Sequence, residues 1–91
     1  MSVKDYERTA RECISRIAPR IPVHDTLVAA FDWITEDHPL SLFHAGRLLG
    51  ECEKEVRCIP SLDLRRRAVR AWTAVFDFAS VHGMQRGTAA E

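Results

Sequence analysis

A chain of 91 residues, 46% hydrophobic and 29% charged, has room for one folded domain and the composition of an ordinary globular protein. Thirteen basic and thirteen acidic groups cancel to a formal charge of zero, so no strong basic field is available to gather nucleic acid or an anionic membrane. The apolar runs are too short to span a bilayer, and three cysteines behind a charged, leader-free N-terminus point to reduced thiols in the cytoplasm.

Val3, Tyr6, Ala10, Cys13, Ile14 and Ile17 recur at steps of three and four among charged residues, which predicts an amphipathic first helix over about 2–18. Ser2 is a candidate cap for its start, and Pro19 and Pro22 are expected to stop it. A second helix, about 25–37, is expected to open on Asp25 as N-cap and to bury Leu27, Phe31 and Ile34. Pro39 suits the first position of a third helix, about 39–58, which Pro60 closes. Ser61 opens the last and longest helix, about 61–82, with Gly83 as a candidate left-handed C-cap. No strand-like alternation is found. The expected architecture is all-α, a compact bundle of four helices in one domain over 1–84, with a disordered tail at 85–91.

The third segment carries two glycines, Gly46 and Gly50, and admits two readings. The spacing of Gly46, Leu49, Gly50, Val56 and Ile59 resembles that of a helix-turn-helix DNA reader across 40–59, with Gly50 at the turn. Against it, Glu51 follows the turn and Glu53 and Glu55 would face phosphate. The other reading is one continuous helix whose stripe is Leu42, Ala45, Leu49, Cys52, Val56 and Ile59. Gly46 and Gly50 would then form a smooth patch for close packing of a neighbouring helix or of Trp33 or Trp72. The continuous helix is the expectation.

The last helix is apolar around well over half of its circumference, more than the edge of a small bundle needs. Either it is the central helix, or it offers a second apolar face, drawn from Trp72, Val75, Phe76, Phe78 and Ala79, to a partner or a second copy. Near its start lie Arg65, Arg66, Arg67 and Arg70, against the preference of the helix dipole. They are either a solvated, ion-paired face or contacts for an anion or an acidic partner, with Arg66 and Arg70 one turn apart.

The four histidines and three cysteines lack the close pairing of a zinc site, and neither a nucleophile elbow nor a phosphate-cradling loop is present. No metal, cofactor or catalytic residue is expected, and the chain is not expected to be an enzyme. The expected function is a non-enzymatic protein–protein interaction module (a small adaptor, regulator or inhibitor, of a size common among bacterial or phage accessory proteins) that self-associates. The alternative is a DNA-binding regulator using 40–59, with the arginines on phosphates.

Overall fold

Ser2 begins the first helix in the computed structural model, which describes residues 2–36 and 38–90, with side chains through Gly83. Its hydroxyl accepts from the Asp5 amide while the Asp5 carboxylate accepts from the Ser2 amide, a reciprocal capping box at the head of α1, Val3–Ser15. The Ser2 backbone amide and hydroxyl, helped by Arg8, hold the Asp5 carboxyl below its usual value of 3.8. A depressed carboxyl contributes stability above its unfolded value and loses it as pH falls through the lower folded one. The first turn of α1 is therefore expected to persist at pH 3.8 and to fray only in stronger acid. Amide exchange across residues 3–6 reads this directly, and Asp5→Asn should fray the turn at every pH.

The second helix, α2, spans Pro22–Thr35 and starts three residues earlier than expected. Pro22 does not merely end what precedes it. It occupies the first turn, where a missing amide costs nothing, and this brings Val23 into the core beside Leu27. Asp25 is a first-turn acid and not the cap. The third helix, α3, spans Ser41–Arg57, so Pro39 lies in the preceding turn instead of opening the helix. The fourth, α4, spans Leu62–Ala90; the Ser61 hydroxyl accepts from the Leu64 amide at its head.

α3 runs through Gly50 without a break, so the turn that a helix-turn-helix reader requires is absent. Its expected stripe is the one that packs: Ala45, Leu49, Cys52 and Val56 are buried, with Ile59 just beyond the helix end. The proposed role of Gly46 and Gly50 is overturned. Both are exposed, and a Cβ added at either would meet nothing within 4 Å. Close approach happens elsewhere, at Gly83, where a Cβ would come 3.1 Å from Leu42 Cδ1. Gly83 is also no left-handed cap: no described glycine has positive φ, and α4 continues past it. The side chains of 84–90 and all of Glu91 lie outside the described residues; the backbone of 85–90, expected to belong to a disordered tail, is part of α4.

In the bundle α1 lies beside α4, α4 beside α3, α3 beside α2 and α2 beside α1, with α2 and α4 also touching across the middle. α4 therefore packs on all three other helices. Ala68, Ala71, Val75 and Phe78 form its buried arc, closed by Phe31 of α2, whose ring lies 5.4 Å from that of Phe78. The Arg11 guanidinium covers the outer side of Phe31 at 5.4 Å from the ring centre. Every buried polar side-chain atom among the described residues has a hydrogen-bond partner.

Candidate interaction surface

The residues expected to form an interface on α4 separate into two sets. Val75 and Phe78 are buried within the chain, and Trp72 and Ala79 are half-buried. Phe76 alone keeps an open face, at 46% exposure, and Val69, seven residues earlier, matches it at 47%. A separation of seven on an α-helix is about two turns, so these two side chains stand in line along one edge of α4. Trp72 lies between them. Its indole stacks on Phe76 with ring centres 5.2 Å apart and an angle of 12° between the planes. Its Nε1–H donates to the Leu49 carbonyl of α3 at 2.8 Å. That bond, worth about 1 kcal/mol, ties the tryptophan to the neighbouring helix and leaves Phe76 seated on a fixed platform.

This edge borders a groove between α3 and α4 lined by Val56, Val69 and Trp72, with Glu53, Arg57 and Arg65 at its rim. Arg57 donates to Glu53 across the rim at 3.0 Å, an exposed pair one turn apart on α3. Gly46 and Gly50 stand on the outer side of α3, so no side chain there obstructs the approach to it.

The four arginines do not act as a cluster. Arg65 is half-buried and donates twice to the Ile59 carbonyl, at 3.0 and 2.7 Å, closing the end of α3. Arg67 pairs with Asp63 at 3.1 Å on an exposed face. Arg67 with Asp63 is a solvated ion pair, whereas Arg65 bonds a backbone carbonyl and forms no ion pair among the described residues. Arg66 and Arg70 have no partner among the described residues and line, with Thr9, Cys13 and Asp77, a second groove between α1 and α4. Glu53 and Glu55 of α3 are engaged with other residues. Glu53 pairs with Arg57, and Glu55 accepts from the Thr26 hydroxyl at 2.7 Å.

Among the described residues no three of His, Cys, Asp and Glu converge to hold a metal. None of the cysteines is paired. Burial, reinforced by the nearby Glu55, pushes the Cys52 thiol up to about 12, so that sulfur is a core apolar group and no nucleophile. No described helix is long and apolar enough to cross a membrane.

Two residues of this surface, Val69 and Asp77, were not singled out by sequence reasoning. The signal available was the spacing of seven that joins Val69 to Phe76 and Arg70 to Asp77, which selects one strip of α4 where total apolarity does not. No protein-family model matches the chain, and no curated protein or solved structure shows significant similarity to it.

Proposed function

We propose that the chain is a non-enzymatic protein–protein interaction module, an adaptor, regulator or inhibitor, that works through the outer strip of α4. The observation that supports this reading is the pair Val69 and Phe76, large apolar side chains left about half exposed beside the Trp72 platform. Apolar surface aligned along one helix edge, next to an open groove, is the ordinary form of a protein contact. The neutral overall charge fits a partner recognised by shape and apolar contact more than by long-range attraction. Three unpaired cysteines fit a reducing, cytoplasmic setting.

The test is enrichment from an extract of the source cells with two baits, the native chain and Val69→Asp/Phe76→Asp, quantified by mass spectrometry. A protein captured by the first bait and at least about tenfold depleted on the second is the expected result. Identical capture by both baits, with circular dichroism showing both folded, would overturn the assignment of this strip.

A further inference from the structure

We infer that the occupant of the outer strip of α4 is the same strip of a second copy, packed antiparallel about a two-fold axis at Thr73. This rests on the reading of that strip as an interaction surface and names its partner.

Four side chains border the strip, two on each edge. Val69 and Phe76 stand along one edge, on either side of Trp72, and Arg70 and Asp77 stand along the other, where both line the α1 groove. Both pairs are separated by seven residues, and both are centred close to Thr73. When two identical helices pack antiparallel, the two-fold axis runs perpendicular to the plane that contains them. That operation turns the helix direction around and keeps each edge on its own side. The apolar edge of one copy therefore meets the apolar edge of the other, and the charged edge meets the charged edge. With the axis at Thr73, Phe76 lies over Val69 of the second copy, and the same contact repeats on the other side of the axis. On the charged edge, Arg70 comes opposite Asp77 of the second copy, again twice.

Three details fit this arrangement. Arg70 and Asp77 have no partner among the described residues of their own chain, so neither must abandon a bond to pair across the axis. The Thr73 hydroxyl already donates to the Val69 carbonyl at 2.8 Å, so covering it leaves no orphaned donor. The residue at the axis is small, which lets two helices approach within the usual distance of about 8–10 Å. A parallel pairing, whose two-fold axis runs along the helices, would swap the edges and set Arg70 beside Val69 and Asp77 beside Phe76 of the other copy, and covering unpaired charge with apolar side chains selects against it.

Sedimentation velocity from low to high micromolar concentration tests the proposal, using the native chain, Arg70→Glu, Asp77→Arg and an equimolar mixture of the two variants. The native chain should pass from one subunit to two as concentration rises. Each single variant should self-associate at least about tenfold more weakly, because both cross-axis pairs become repulsive. The mixture should recover the native affinity as a heterodimer. In it the new carboxylate of the Arg70→Glu chain faces the new guanidinium of the Asp77→Arg chain. The native Asp77 of the first chain likewise faces the native Arg70 of the second. Recovery on mixing cannot come from a folding defect. A single subunit at every concentration overturns the second copy as partner. So does a dimer indifferent to both substitutions, or a mixture that fails to recover. In each of these cases the bait comparison still decides the wider reading of the strip.

Discussion

Phe78→Ala is expected to cost about 3–5 kcal/mol of folding stability, while Phe76→Ala, two residues away, should cost about 1 kcal/mol or less. Phe78 is 2% exposed and packs its ring on Phe31, so truncation removes a buried aromatic side chain and leaves a cavity between α2 and α4. A domain of this size has a total stability of roughly 5–14 kcal/mol, so the loss takes a large share of what holds it folded. Phe76 spends nearly half of its surface in water and touches the fold through the Trp72 stack. Its removal costs mainly that stack. Urea unfolding followed by tryptophan fluorescence, at concentrations where a single subunit is present, separates the two. Equal losses at the two positions would mean that Phe76 belongs to the core and is not part of an open surface.

Gly46→Ala together with Gly50→Ala is expected to stabilise the protein by about 1–2 kcal/mol in total. Both glycines are inside a continuous helix, both face open space, and an added methyl meets nothing. The gain is the conformational entropy that two glycines lose on entering a helix. For a domain of this length it should raise the melting temperature by about 4–8 °C per kcal/mol. A drop in stability would be the signature of a turn at Gly50 or of a neighbour packed against the bare patch, and would restore one of the two readings that the structure removes. The same substitutions should leave the fluorescence of Trp33 and Trp72 unchanged, because neither ring rests on these glycines.

The segments legible in the amino-acid sequence are those whose signal is carried by residues only a few positions apart. Ser2 with Asp5 three residues on forms the capping box of α1, and the stripe Ala45, Leu49, Cys52, Val56 of α3 is buried as its period requires. Where two local signals competed, the core chose between them. Asp25 and Pro22 are both good helix starts, and Pro22 prevails because a helix beginning there carries Val23 and Leu27 into the interior.

Periodicity thus determined four amphipathic helices in an all-α bundle, the continuity of α3 and the residues of its buried face, because each depends on contacts a few positions apart. Only the tertiary structure decided which arc of α4 is core. Val75 and Phe76 are neighbours in the chain but about 100° apart around the helix, and on a helix apolar over most of its circumference nothing local distinguishes them. The distinction comes from where α1, α2 and α3 lie. The same holds for the glycines: the chain shows that Gly46 and Gly50 are bare, and only the surrounding helices show that nothing fills the space they leave.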